Sequence, residues 1–522
     1  MREKLDGLRL FLRSAAGIEA LACGLFVGLG WLLRTRGVLW GGRFGLWSDE
    51  ATWAMRLLER PLSEHLIRPP LFMWLTRVSV AILGNTEFAF RLLPWLAGMA
   101  SPIIAIHLGR VTLRTAGARV LLVAVIALSE GSIDFSKEFK PYGVAIFLHL
   151  LLPYLVLRWV ASRTRKDLLW ACAALPLGVL FCQDVLFLYP GLFLVMAIEA
   201  FRTRSLKQLY IVLGFGAVTA AFVAGMYLEF WRRIPKDRAE EYWGDKYGVF
   251  FRPKTPADTY RAWLTPRYLA VVDLPNQRSG GWSNQLIKGR AFSDIRELND
   301  DVWLALHFAG IAVCVLRRRW KEGLCFWSPL LVCVLFNRLG FWPFGAFRTN
   351  QFLIAETSVL AAVGLDWPKP SDARWRMLLP ACVLMVLPLV FFERSWASTK
   401  RLSYATGMMD ILKQLEVWQA ETRPSSTKEN LYLDHHSCQP FSFYVKYHPR
   451  GVRLWNRLSQ HMDYRCDEDF GRTLKRMRQL PHGVRFWVMA ARPTTRRRWP
   501  KDFRMDRRFS RPPHELFETH AP

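Results

Sequence analysis

Long blocks of Leu, Val, Ile, Ala and Phe recur along residues 1–394, almost without charge, and short runs of Arg and Lys separate them. A bilayer core about 30 Å thick is crossed by roughly 20 apolar helical residues at about 1.5 Å each. Laid along the chain, that length predicts about eleven spans, near residues 15–33, 92–109, 118–133, 143–160, 168–182, 185–200, 208–230, 302–316, 323–337, 351–366 and 376–393. Residues 168–200 read as a short pair joined at Gln183 and Asp184. The segment 69–84 is apolar too, but it is short, starts with Pro69 and Pro70 and carries Arg77. It is expected as a helix lying in the interface, because counting it as a span would put every later basic loop outside.

After residue 394 the pattern changes. Polar residues and Pro-containing connections return, and Asn430–Asp434 and Phe441–Tyr447 alternate like strands. The expected fold is therefore an α-helical polytopic membrane protein of about 11 transmembrane helices, residues 1–394, with a small C-terminal α/β domain outside the membrane, residues 395–522. From Arg492 onward the basic, Pro-containing composition argues for poor order.

Composition sharpens this picture. The 522 residues are 52% hydrophobic, yet Lys plus Arg outnumber Asp plus Glu by 71 to 43. That excludes a disordered chain and argues against an ordinary soluble enzyme. Nucleic acid is excluded as a partner because the cations punctuate apolar blocks and are not gathered on one polar surface. Lys and Arg stay on the cytoplasmic side of short loops. The N-terminus and the loops at Arg110–Arg119, Arg158–Lys166, Arg202–Lys207, Arg317–Lys321 and Lys369–Arg376 are accordingly inside. Residues 34–91, 129–142, 231–300, 337–350 and everything after 394 are outside. Seven of the nine Cys fall within spans; Cys438 and Cys466 do not, and can pair in an exported domain.

Candidate chemistry gathers in the outer segments. Trp47-Ser48-Asp49-Glu50 opens a helical pattern, and its acids suit either helix capping by Ser48 or Asp49 or a general base at the membrane rim. Lys137, Glu138, Lys140 and Tyr142 suit either snorkelling helix ends or a lipid-borne phosphate, which ammonium groups neutralise and a phenol hydrogen-bonds. Asn337, Arg338 and Arg348 repeat the theme around Phe341-Trp342-Pro343-Phe344-Gly345. Asp434-His435-His436 has no second ligand group at metal spacing, so no metal site is assigned. No nucleotide-cradling loop precedes a helix. A transporter or flippase of lipid-linked glycans, or a membrane-anchored envelope scaffold, is the rival reading. Transporters, however, place ionisable groups at mid-membrane in two repeated halves, whereas these motifs sit at one rim and no repeat is visible.

In order and spacing, these residues resemble the GT-C glycosyltransferases, in particular the family-39-like group of protein O-mannosyltransferases and the lipid A aminoarabinose transferase. The resemblance rests on Asp49-Glu50, Pro69-Pro70-Leu71, Gly84, Arg91-Leu92, Ser136-x-Glu138-x-Lys140-Pro141-Tyr142 and Pro343-x-Gly345-x-x-Arg348. It implies transfer of a sugar from a polyprenyl-phosphate donor to an acceptor hydroxyl on a glycolipid, glycan or protein, with inversion, at the outer face of a bacterial inner membrane. It implies Asp49 as general base and Glu50 as its positioning partner. Lys137, Lys140, Tyr142 and Arg348 would hold the donor phosphate, and Arg68, Glu138 and Arg338 would line the substrate pocket. Arg68 stands where many relatives carry His, with His65 nearby. No cofactor is required by the resemblance, and a divalent metal is left open.

Overall fold

The computed structural model describes residues 14–36, 45–61, 68–229, 259–276, 295–345, 348–366, 387–393, 407–421, 428–466, 475–480, 484–491, 505–511 and 514–520, with a few isolated positions between. Most of the predicted span 376–393 and most of the loop 231–300 lie outside the described residues.

The first part of the chain runs α1 (Ala15–Thr35), α2 (Ser48–Glu59), α3 (Pro70–Leu83), α4 (Glu87–Thr112), α5 (Ala116–Leu128), α6 (Glu130–Phe135), α7 (Tyr142–Ser162), α8 (Arg165–Phe181), α9 (Tyr189–Arg202) and α10 (Leu206–Glu229). It continues through α11 (Tyr260–Val272), α12 (Ile295–Leu316), α13 (Trp320–Phe326), α14 (Ser328–Arg338) and α15 (Leu353–Leu365). Among the described helices, α1, α4, α7 and α10 are long and apolar enough to cross a membrane alone, and α3, α5, α14 and α15 are shorter apolar helices. On α10, Leu206, Tyr210, Leu213, Phe222 and Leu228 are exposed, a surface that suits lipid better than water. Every residue of α15 is buried instead. It meets α12 backbone to backbone, since a Cβ on Gly310 would lie 1.9 Å from the Leu360 carbonyl oxygen and one on Gly364 1.9 Å from that of Leu306.

Two predicted spans are broken. The apolar run 118–133 stops at Leu128, turns through Ser129 and restarts as α6. The run 323–337 breaks at Trp327, where Pro329 sets the start of α14. The pair at 168–200 is α8 and α9, joined by a 3₁₀ turn over Gln183–Phe187.

The C-terminal part runs α16 (Gly407–Glu421), β1 (Glu429–Leu433), α17 (His435–Lys446), α18 (Pro449–Leu458), β2 (Met462–Cys466), β3 (Arg485–Ala491), β4 (Met505–Arg511) and β5 (His514–His520). Its sheet has the order β2-β1-β3-β5-β4, with β1 parallel to β2 and β3, and β5 antiparallel to β3 and β4. The core beneath it includes Tyr432, Met477, Phe486, Val488 and Phe517. A disulfide joins Cys438 on α17 to Cys466 at the end of β2, with Cα atoms 5.5 Å apart.

Two expectations for this part are corrected. Phe441–Lys446 is helical and Tyr447 ends the helix, because Asp434 caps α17 by accepting the Ser437 N–H at 2.8 Å and because Phe441, Tyr444 and Val445 then fall on one buried face. The tail is not without order: β4 and β5 pair, with Leu516 and Phe517 buried and Arg508 donating to Glu515 at 2.7 Å.

The chain divides into two compact units: Met1–Arg34, His65–Phe72 and Leu93–Ser398 in the first, and Thr35–Glu64, Met73–Leu92 and Thr399–Pro522 in the second. The second unit thus combines the C-terminal sheet with the stretch that carries Asp49, Glu50 and Arg91.

Candidate active site

In the second unit, the acidic pair at the head of α2 is split by its surroundings. Glu50 is fully buried and takes a two-pronged ion pair from Arg91, Nε to Oε1 at 2.9 Å and a terminal nitrogen to Oε2 at 2.5 Å. Arg91 also donates to the Gly45 carbonyl at 2.8 Å. The Glu50 carboxylate accepts the Trp47 N–H at 3.2 Å as well, so the third residue of α2 supplies the cap that was expected from Ser48 or Asp49. A buried pair of this kind holds geometry, because loss of either member strands a charge out of water. Asp49, one residue earlier, is only half-buried.

Tyr444 on α17 secures the same stretch. Its hydroxyl donates to Glu87 at 2.8 Å and accepts the Leu46 N–H at 3.2 Å, and burial, followed by the Glu87 charge, pushes its phenol well above the usual range. His448 Nε2 lies 3.3 Å from Glu87, Phe443 packs edge-on to Phe90, and Tyr447 donates to Glu59 at 2.5 Å.

In the first unit, the segment between α5 and α7 is a buried polar turn. Lys137 and Lys140 are 3% and 4% exposed, and Asp134 and Glu130 are buried beside them in sequence. The Lys137 N–H donates to the Asp134 carbonyl at 2.9 Å and the Lys140 N–H to that of Glu138 at 2.7 Å, which folds the chain tightly before α7. Arg34, at the end of α1, explains why α5 stops. Its guanidinium, fully buried, donates to the carbonyls of Ala127 at 2.6 Å and Ile126 at 2.8 Å and to Ser132 Oγ at 2.7 Å. A cation on the orphaned carbonyls of a helix C-terminus satisfies both their hydrogen bonds and their dipole. Gly98 lets α4 approach, since a Cβ there would meet the Ser136 Cβ at 2.3 Å.

Arg348 sits half-buried in a 3₁₀ turn after a loop that Asn350 organises. The Asn350 amide donates to the carbonyls of Pro343 at 2.9 Å and Gly345 at 2.8 Å and accepts the Trp342 indole N–H at 2.8 Å. Asn337 donates to the Trp342 carbonyl at 3.0 Å. Gly340 and Gly345, at φ 77° and 146°, take backbone conformations that other residues rarely adopt. Arg338 lies over the Tyr260 ring, 5.4 Å from its centre.

These pieces of the first unit come together. Phe139 stacks on Phe72 at 6.0 Å, joining the turn that carries Lys137, Glu138 and Lys140 to the Pro69-Pro70 element behind the buried Arg68. Tyr142 meets Phe135 edge-on at 5.3 Å. A Cβ on Gly131 would lie 2.9 Å from Gln351 Oε1, so the Arg348 turn abuts α6. Asp49 and Glu50 belong to the other unit.

Sequence reasoning passed over Arg34, Asn350 and Tyr444. Arg34 reads as the basic end of a span and Tyr444 as one of several aromatics, and neither has a local signal. Asn350 has one, as a lone amide closing the turn after Trp342-Pro343-Phe344-Gly345. Among the described residues no group of three His, Cys, Asp or Glu side chains is placed to hold a metal. Asp434 serves as a helix cap, and the His435 and His436 side chains lie outside the described residues.

Residues 67–227 match the family model described as dolichyl-phosphate-mannose-protein mannosyltransferase. That range contains Arg68, Lys137, Glu138, Lys140 and Tyr142. The chain is similar to the crystal structure of ArnT from Cupriavidus metallidurans bound to undecaprenyl phosphate, with a TM-score of 0.52 and 13% sequence identity over 97% of this chain and 98% of that one. Against the apo state of the same protein, the TM-score is 0.49 and the identity 14%. At such identity the likeness is one of fold. No curated protein sequence matches the chain significantly.

Proposed function

We propose that this chain, a GT-C protein of the protein O-mannosyltransferase and aminoarabinose transferase type, is an inverting membrane glycosyltransferase. It moves a sugar from a polyprenyl-phosphate donor to an acceptor hydroxyl on the outer side of a bacterial inner membrane. The observation that carries this reading is the burial of Lys137 and Lys140 in one turn of an apolar helical unit, inside the matched residues 67–227. A phosphate leaving group departs as a stable anion and needs its charge neutralised more than it needs an acid. In this reading Lys137, Lys140, Tyr142 and Arg348 hold that phosphate, with Arg68, Glu138 and Arg338 lining the pocket. Asp49 takes the proton from the acceptor hydroxyl, and Glu50, locked by Arg91, fixes the helix start that presents it.

The topology belongs to the same proposal: about eleven spans, an inside N-terminus and residues 395–522 outside. The Cys438–Cys466 disulfide supports an oxidising location for the sheet.

The test is mass analysis of envelope glycolipids and glycoproteins from cells with and without the protein, followed by complementation with Asp49→Asn. The missing sugar identifies donor and acceptor class. Transfer by the variant should fall by about 10²- to 10⁴-fold at normal protein levels. Unchanged transfer would remove Asp49 as the base, and donor lipid stranded on the inner leaflet would favour a flippase.

A further inference from the structure

At the other end of α5 and α15 lies a second concentration of charge, which the glycosyltransferase reading leaves unused. Residues 110–114, at the end of α4, and 317–322, which lead from α12 into α13, line a cavity of about 420 Å³. Its floor is stapled. Arg319 donates to Asp366 at 3.0 Å, to Glu322 at 3.0 Å and to the Thr112 carbonyl, and Asp366 accepts the backbone N–H groups of Arg114 at 3.1 Å and Thr115 at 2.8 Å. The acids at the cavity are thereby engaged. Lys321 is also taken, by Glu199 at 3.1 Å.

Four cations remain at the rim. Arg110, Arg114, Arg317 and Arg318 are exposed, and among the described residues their guanidinium groups make no ion pair or hydrogen bond. Like charges held around one concavity repel unless an anion enters, and a guanidinium presents paired N–H donors that match phosphate oxygens. A single phosphodiester would offset one of the four charges, so an anion with two phosphates is the better match. Val111, Val315 and Leu316 beside the cavity are exposed and apolar, which gives a lipid carrying such a headgroup somewhere to lay its chains. The α5 helix is 13 residues long, about 20 Å, so this cavity is distinct from the turn that holds Lys137 and Lys140.

We propose that the cavity between residues 110–114 and 317–322 is a binding site for an anion bearing two phosphate groups, presented by a membrane lipid or by a soluble diphosphate. The inference stands whether or not the chain transfers a sugar.

Cardiolipin and inorganic pyrophosphate serve as probes, each titrated against the purified full-length protein in zwitterionic detergent and read by native mass spectrometry. The wild type should retain cardiolipin. Arg317→Gln with Arg318→Gln should weaken retention by roughly tenfold, as should Arg110→Gln with Arg114→Gln from the facing loop. The control pair is Arg204→Gln with Lys207→Gln, which removes as much charge outside the cavity; Arg204 shares the left-handed backbone of Arg318, at φ 51° and 54°. It should shift retention by less than about twofold. Retention of pyrophosphate alone, lost in the same two variants, would assign the site to a soluble ligand. Retention of neither probe, or equal weakening in the control, would overturn the proposal.

Discussion

The helices α5 and α15 run between two gatherings of charge that the protein treats in opposite ways. At the α6 end, Arg34, Asp134, Lys137 and Lys140 are sunk among apolar helices. At the Arg319 end, Arg110, Arg114, Arg317 and Arg318 stand in solvent around a stapled floor. The difference lies in what the backbone offers. Where α5 stops and α6 restarts, helix ends expose carbonyls that a buried guanidinium can satisfy, so charge is carried inside. Around Arg319 the carboxylates of Asp366 and Glu322 are spent on the floor, and among the described residues the guanidinium groups of the remaining cations make no ion pair. Fixed, dry charge suits a site whose geometry must not vary, and wet charge suits an anion that exchanges.

The harshest way to break this contrast is to part the helices that link its two ends. Gly310→Val would drive a side chain into the Leu360 carbonyl, with no flexible group to yield. Overpacking against backbone should cost more than about 3 kcal/mol, seen as lost monodisperse protein or a collapsed thermal transition. Gly24→Ala, where an added Cβ meets nothing within 4 Å, should leave the transition in place.

Arg34→Met touches the buried end alone. It leaves the Ile126 and Ala127 carbonyls without their donor, and about 2–4 kcal/mol of stability should go with it. Arg34→Lys should restore part of the melting temperature, because an ammonium reaches one carbonyl but not the whole set. Equal melting of Arg34→Met and wild type would show that α5 ends for another reason.

The mildest change is Arg319→Met at the other end. Its side chain is 9% exposed, and its loss should cost about 1–2 kcal/mol in the same thermal assay. If it cost as much as Arg34→Met, the contrast between the two ends would fail.

What could be read from the amino-acid pattern was what local length and order encode. The helices α1, α4, α7 and α10, long and apolar enough to cross a membrane, announce themselves by length, and Cys438 and Cys466 stand out as the pair outside the apolar blocks. The break after Leu128 did not, because the run 118–133 is apolar throughout and the group that ends the helix, Arg34, lies 93 residues away from Ala127 in sequence. Phe441–Tyr447 has the composition of a strand, and only the Asp434 cap and the buried face beneath it select a helix. At the candidate site, motif order picked out Glu50 and Arg91 separately but not their bond. That bond separates the two acids into one with a fixed structural partner and one half-exposed beside it.

The disulfide also bears on how this protein matures. Cys438 precedes Tyr444 on the same helix, and Tyr444 grips Leu46 and Glu87 on either side of the Asp49 stretch. Oxidation of one cysteine pair thus steadies the strap on which the acidic residues ride. Protein handled with dithiothreitol should therefore loosen there before its apolar helices change, so a single redox event sets the order in which the two parts come undone.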